Sequence, residues 1–272
     1  EVARQADQIR AAIAPSTTPV SVWFGLPRLE PFAEVLTGRK VRAVRARGKA
    51  FLIEFGPARE LLTLYVHLQL AGKWIVVGPG QEPPETTRSL RVRLEGASGT
   101  ALLYSASEIE VLAPREVEEH SYLSGLGPDA LGDLDLAGVR ARLRESRFGR
   151  ASLAGLYLRQ DFLAGLGNYL RSEILHHAKL HPDRRLGDLS AAEVRGLAKS
   201  TLDLPRQSYE TGGITNSPRR AARLLAAGVP QRSTRWWVFE REGEPCYRCG
   251  GSIQRIERGS RRIYLCEVCQ PL

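Results

Sequence analysis

The chain has 272 residues, enough for one large domain or for two or three small ones. A hydrophobic fraction of 43% and a charged fraction of 25% are those of a folded globular protein and exclude a disordered chain. No apolar run approaches the roughly 18 residues of a membrane-spanning helix, and the N-terminus has no signal-peptide core, so the expectation is a cytoplasmic protein with no membrane partner. Charge is the first asymmetry: 39 basic residues stand against 30 acidic ones, net +9, and all but five of the basic residues are arginine. From Ile214 onward there are 11 Arg and 5 Glu, so most of the excess lies in the last fifth of the chain. Such a tail points to a polyanion, most often nucleic acid; a solvated arginine-rich surface is the other reading. Methionine is absent even at position 1, which leads to the expectation that translation starts ahead of Glu1.

The first 14 residues read as a helix, with Val2, Ala6, Ile9 and Ile13 on one face and no capping residue ahead of them. Short β-type runs follow at 20–24, 41–44, 51–55, 61–66, 74–77, 90–94 and 101–104, separated by turn residues such as Gly56-Pro57 and Gly78-Pro79-Gly80. That spacing suggests an antiparallel sandwich or barrel. Beyond Pro114 the pattern turns helical, over 133–146, 153–162, 169–178 and 190–204, with Ser190 and Glu193 forming a capping-box signature. Residues 212–230 read as a loop or linker. The expected class is therefore α+β, with parts at 1–115, 116–235 and 236–272: a helix and β-sandwich, a helical domain, and a small cysteine module.

The four cysteines are Cys246, Cys249, Cys266 and Cys269, two CxxC pairs with sixteen residues between them. Two such knuckles can place four thiolates about 2.3 Å from one zinc ion, and the intervening length suits one β-hairpin, at 252–256 and 262–265 around Gly259-Ser260. Two disulfides or a redox pair are the alternatives; a cytosolic setting and the duplicated motif favour a closed, structural zinc site. A module this small needs the metal to fold. Its hairpin carries Arg255, Arg258, Arg261 and Arg262, which can fork hydrogen bonds onto phosphate.

The most specific stretch is Gln160-Asp161-Phe162-Leu163-Ala164-Gly165-Leu166-Gly167-Asn168-Tyr169-Leu170-Arg171-Ser172-Glu173-Ile174-Leu175. Two glycines break one helix and Asn168 is placed to cap the next, which offers backbone N–H groups and a positive helix end to an anion. This run resembles the helix–two-turn–helix of the formamidopyrimidine-DNA glycosylase superfamily, in particular its endonuclease VIII branch. Further collinear matches are Arg47-Gly48-Lys49-Ala50, His67-Leu68-Gln69-Leu70, Tyr104-Ser105-Ala106-Ser107, Gly127-Pro128-Asp129 and Arg241-Glu242-Gly243-Glu244-Pro245-Cys246. The resemblance implies the family's fold: an N-terminal helix and β-sandwich, a helix–two-turn–helix domain and a C-terminal zinc finger.

It also implies the chemistry. The family removes oxidised bases, in this branch mainly pyrimidines, from double-stranded DNA and then cuts the abasic strand, acting as a monomer. The target nucleotide has to leave the stack. By resemblance, Gln69, Leu70 and Ala71 form the wedge that fills the gap, where an apolar Leu70 can stack; Ala71 is smaller than that place suggests. Lys49 matches a lysine near the DNA phosphate and sugar that assists base release. Asn168 and Arg261 match a phosphate-gripping pair. The family's nucleophile is an N-terminal proline whose amine attacks the sugar C1′, followed by a glutamate that acts as an acid. Its opening resembles Pro-Glu-Gly-Pro-Glu, of which Glu1 matches only the last residue. A chain starting at Glu1 is thus expected to bind damaged DNA and to be inactive without the preceding residues. Two other classes stay open: a non-catalytic damaged-DNA binding protein, and a zinc-ribbon RNA-binding protein.

Overall fold

The amphipathic spacing at the N-terminus produces α1 (Val2–Ile13), which buries Ala6, Ile9 and Ile13 as that spacing requires. The computed structural model describes residues 1–14 and 18–272. The strands that follow among the described residues are β1 (Ser21–Phe24), β2 (Val41–Arg47), β3 (Ala50–Phe55), β4 (Leu62–His67), β5 (Lys73–Val77), β6 (Leu90–Gly96), β7 (Gly99–Tyr104) and β8 (Glu108–Leu112). They pair antiparallel in two sheets, ordered β1-β6-β7-β5 and β2-β3-β4-β8. Apolar side chains from both sheets share one core, with Phe24, Val92, Leu94 and Leu103 from the first and Phe51, Ile53, Leu64 and Val66 from the second. Ile9 and Ile13 of α1 join the same core. Each such side chain contributes on the order of 1.5–3 kcal/mol of burial.

Strand β3 is buried along its whole length. Phe51, Ile53 and Phe55 face the inter-sheet core, while Ala50 and Leu52 face away from it. That second face is covered by α3 (Pro114–Glu119) and α4 (Ser121–Ser124), through Val117, Tyr122 and Leu123. Burial on both sides explains why the run Ala-Phe-Leu-Ile does not alternate. Two elements depart from the expected pattern. Strand β8 is not among the expected runs, although Glu108-Ile109-Glu110-Val111 alternates cleanly, and α2 (Glu30–Leu36) has Pro31 in its first turn, where a proline's missing N–H costs nothing.

Residues Glu1–Gly125 form one compact unit and Leu126–Leu272 a second. The second contains α5 (Leu136–Arg142), α6 (Leu153–Leu156), α7 (Asn168–Ala178), α8 (Ala191–Thr211), α9 (Pro218–Ala226), α10 (Gln231–Arg235) and the hairpin β9 (Gln254–Arg258) and β10 (Arg261–Leu265). Its main core joins Val139, Phe148, Leu156, Phe162, Ile174 and Leu197 with Ile263 of the hairpin.

Three helical expectations are corrected. Helix α6 ends at Leu156 and not at 162, because the carbonyls beyond it are taken by side chains: Gln160 Nε2 donates to Leu158 O and Leu166 O at 3.2 and 3.0 Å, and Arg142 Nε to Phe162 O at 2.9 Å. Helix α8 starts at the Ser190–Glu193 capping box as read, but runs through Pro205 to Thr211 and ends on Gly212 at φ 72°. An interior proline costs about 3 kcal/mol in an isolated helix; here Pro205 is buried on the packed face with Thr201, Leu204 and Ser208. The stretch 212–230, expected as a loop, holds α9, whose Ser217 side chain accepts the Arg220 N–H at 3.2 Å.

Candidate nucleic-acid interface

In the first unit the residues of interest sit on turns that the sandwich makes rigid. Lys49 lies in the tight turn between β2 and β3, where Arg47 and Ala50 pair and Gly48 takes φ 60°. Its backbone N–H donates to the Tyr122 hydroxyl at 3.0 Å. Strand β4 ends at His67, and the chain then turns through Leu68, Gln69, Leu70 and Ala71, closed by the Gly72 N–H on Leu68 O at 2.8 Å. A Cβ on Gly72 would lie 2.6 Å from that carbonyl oxygen, so the closure requires glycine. Leu70 is 92% exposed at the tip, an unusual place for a leucine. Ala71 is exposed too, and its carbonyl accepts from Arg88 Nη1. Gln69 has φ 49° and donates its Nε2 hydrogen to Glu108. The structure thus brings Gln69, Leu70 and Ala71 together on one projecting turn.

His67 stands between these turns, with its ring 5.0 Å from that of Tyr122. Burial lowers its pKa; Glu108 pushes the other way and Lys49 adds to the lowering, so it is neutral at pH 7.

In the second unit the glycine-rich turn is built by its neighbours. The Gly127 N–H donates to Gln160 O and the Ala164 N–H to Pro128 O, both at 2.9 Å, so Gly127-Pro128-Asp129 lines the turn. A Cβ at Gly127 would meet Asp161 O at 2.5 Å, which explains the glycine. Gly167 and not Asn168 is the N-cap of α7, in extended conformation, and Asn168 is the first helical residue. Its side chain does not cap. Its Oδ1 accepts from Arg171 Nη2 at 2.6 Å.

Arg171 organises this region. It is fully buried, and its guanidinium also donates to Ala154 O at 2.9 Å and to Arg262 O at 3.0 Å. Burial and the nearby Arg261 lower its pKa to about 10, so it stays charged. The Ser172 hydroxyl accepts the Tyr264 N–H at 3.2 Å, a second tie between α7 and the hairpin. Arg171 thus touches Asn168 directly and lies near enough to Arg261 to feel its charge. The hairpin's four arginines are not equivalent: Arg258 is forked onto Asp183 at 2.6 and 2.5 Å and Arg255 pairs with Glu242 at 2.9 Å. Among the described residues Arg261 and Arg262 have no ion-pair partner.

The β9–β10 turn is Gly259-Ser260, both at positive φ, the geometry of a two-residue hairpin. At the hairpin's base the four cysteines converge, with their sulfurs all within 4.8 Å of one another. The Cys246–Cys269 and Cys249–Cys266 separations are 4.0 and 3.4 Å, against about 3.8 Å for thiolates at the corners of a zinc tetrahedron. The N–H groups of Arg248 and Gly251 each point at a sulfur, of Cys246 and Cys249, at 3.4 Å. Burial alone would raise the Cys246 thiol; contacts with His176 and the Arg248 N–H outweigh it and bring it to about 7. This donor set fits one tetrahedral metal.

Sequence reasoning did not single out Arg171, Glu173 or Arg241. Glu173 is fully buried, and its carboxylate accepts the N–H groups of Trp237, Val238 and Phe239 at 2.8–2.9 Å and the Thr215 hydroxyl. Arg241 is buried against Tyr247 and donates to Trp237 O and Pro245 O. The available signal was a pair of charges, Arg171 and Glu173, inside the otherwise apolar run of α7.

A helix-backed β-sandwich, a glycine-broken turn leading into α7 and a four-cysteine hairpin make this a multidomain protein of the helix–two-turn–helix and zinc-finger type. The formamidopyrimidine-DNA glycosylase N-terminal domain family matches residues 4–107. Endonuclease 8 of Escherichia coli is 44% identical over 271 residues, covering 99% of this chain and 98% of its own length. Endonuclease 8 of Klebsiella pneumoniae is 43% identical over 272 residues with the same coverage. A crystal structure of Lactococcus lactis Fpg in complex with DNA containing an abasic site shares the fold, with a TM-score of 0.77 and 24% identity over the whole of both chains. The chain belongs to the formamidopyrimidine-DNA glycosylase family, in its endonuclease 8 branch. That membership places it among the DNA glycosylases of base-excision repair.

Proposed function

We propose that this protein excises oxidised bases, mainly pyrimidines, from double-stranded DNA in the cytoplasm and cleaves the resulting abasic strand, working as a monomer. The observation that carries the reading is 44% identity to endonuclease 8 along 99% of the chain. Leu70, flanked by Gln69 and Ala71, enters the helix where the damaged nucleotide leaves, since an exposed apolar tip can replace a base in the stack. Lys49 faces the sugar-phosphate of that nucleotide and assists base release. Asn168 and Arg261 grip the phosphates around it, and Arg262 is the second open guanidinium on the same hairpin. Cys246, Cys249, Cys266 and Cys269 hold one zinc ion in a closed site that supplies rigidity and no open position for chemistry. The three parts 1–115, 116–235 and 236–272 carry the base chemistry, the helix–two-turn–helix grip and the finger.

Strand cleavage by this family's route uses a secondary amine at the chain terminus, which attacks the sugar C1′ to give an iminium ion. In a polypeptide that starts at Glu1 the terminal amine would be primary and would belong to the N-cap residue of α1. Four residues of chain span about 13 Å, against a near-attack separation of about 3–3.5 Å. Borohydride trapping on abasic duplex DNA compares the polypeptide starting at Glu1 with one preceded by Pro-Glu-Gly-Pro and freed of its initiator methionine. Both should bind, and only the second should be trapped. Efficient trapping by the first would make another amine the nucleophile, with Lys49 foremost; failure of both to cleave would support a non-catalytic binding protein.

A further inference from the structure

The turn that carries Leu70 holds a backbone its own residues do not favour. Gln69 sits at φ 49°, in the left-handed region that side chains of its kind rarely adopt. Two contacts hold it there. Its N–H donates to His67 Nδ1 at 3.2 Å, and its Nε2 donates to Glu108 Oε2. Glu108 opens β8 directly opposite His67 on β4, and its other oxygen accepts the Tyr65 hydroxyl at 2.7 Å. The Tyr65 ring stands 6.4 Å from that of Tyr122, whose hydroxyl accepts the Lys49 N–H. One connected set of rings and a single carboxylate thus runs beneath both turns. Burial opposes ionisation of Glu108, but the hydrogen bonds from Tyr65 and Gln69 outweigh it and hold its carboxyl below the usual range. At neutral pH Glu108 is an anion accepting on both oxygens.

We propose that Glu108 is the positioning residue of the base-displacing turn: it fixes Gln69 so that Leu70 projects, and through Tyr65 and Tyr122 it keeps that turn in register with the Lys49 turn. This rests on the reading of Leu70 as the plug. Glu108 does not touch the reacting nucleotide. Its effect is confined to duplex substrates, in which Leu70 fills a gap in a stack, and is absent from the single strand, a distinction that a residue needed only for folding would not respect.

The full chain carrying Glu108→Ala, Glu108→Gln, Tyr65→Phe or Leu70→Ala is titrated with a duplex holding a tetrahydrofuran abasic analogue opposite 2-aminopurine, and with the same lesion strand alone. The fluorescence rise of 2-aminopurine reports insertion at the gap. Glu108→Ala should lose most of that rise and about tenfold in duplex affinity, as for a charge-assisted hydrogen bond, with single-strand affinity unchanged. Glu108→Gln should recover both to within about twofold, because its carbonyl can accept from Gln69 while its amide donates to the Tyr65 hydroxyl. Tyr65→Phe, which leaves the turn's own residues intact, should lose about threefold on the duplex only. Equal losses on duplex and single strand, no loss on either, or no recovery by Gln would overturn the proposal. Leu70→Ala separates the two readings. If it keeps the full fluorescence rise, the plug assignment fails; if it loses the rise while Glu108→Ala keeps it, the positioning role alone falls.

Discussion

The two units differ in what lies beneath the turns proposed to meet DNA. In the first, the Lys49 turn and the Leu70 turn ride on a sandwich whose interior is almost wholly apolar: Phe51, Ile53, Phe55, Leu64 and Val66 are fully buried. In the second, that support comes from buried polar side chains and thiols. Arg171 ties α7 to the hairpin, Glu173 gathers three backbone N–H groups, Arg241 stitches the entry to the finger, and four cysteines close its base. Apolar packing degrades by degrees, because a smaller side chain leaves a cavity that neighbours partly fill. A buried ion fails abruptly, because removing one partner strands the rest without water. The sandwich is a tolerant platform, and the helix–finger assembly is an exacting one.

The sharpest way to break this contrast is at the thiolates. The purified chain should contain about one zinc per molecule, and Cys266→Ser or chelation should unfold the finger and abolish DNA binding while the sandwich keeps its cooperative melt. Normal DNA binding by zinc-free protein would remove the metal from the account. Next comes Glu173→Ala, which leaves three N–H groups and a hydroxyl without acceptors. It should lower the stability of the second unit by about 3 kcal/mol or more, followed by tryptophan fluorescence of Trp236 and Trp237 in urea. A loss under about 1 kcal/mol would mean that aromatic packing holds that turn by itself. The smallest effect is at the surface: Arg261→Ala should weaken affinity for abasic duplex roughly tenfold and make its salt dependence shallower, with folding untouched. Unchanged affinity would shift the grip to Arg262, since Arg258 is committed to Asp183.

Local patterns exposed much of this. The α1 face, nine of the ten strands among the described residues, the capping box of α8 and the metal knuckles are visible in the sequence because each is set by neighbours a few residues away. What escaped was decided at long range. Strand β8 lay between Ser105-Ala106-Ser107 and Ala113-Pro114, whose turn character outweighed a five-residue alternation. Pro205 is tolerated because its side of α8 is buried, a fact outside the helix's own composition. Asn168 carries a perfect capping residue type, yet its oxygen is claimed by Arg171 and the extended Gly167 takes the cap. The hairpin arginines look alike in sequence, and only the positions of Asp183 and Glu242 divide them into two committed and two open. Glu108 and Tyr122 are ordinary residues until β8 and α4 bring them beneath the two turns.

The guanidinium of Arg171 has a consequence for the order in which the molecule matures. It joins Asn168, three positions away, to the carbonyl of Arg262, which lies 91 residues further along the chain. During synthesis from the N-terminus, at about 5–20 residues per second, the sandwich and α7 emerge well before the hairpin. Until then Arg171 lacks its third acceptor, the Arg262 carbonyl. The nascent chain therefore carries a folded sandwich while the tie between α7 and the hairpin still waits for residues 254–265 to leave the ribosome.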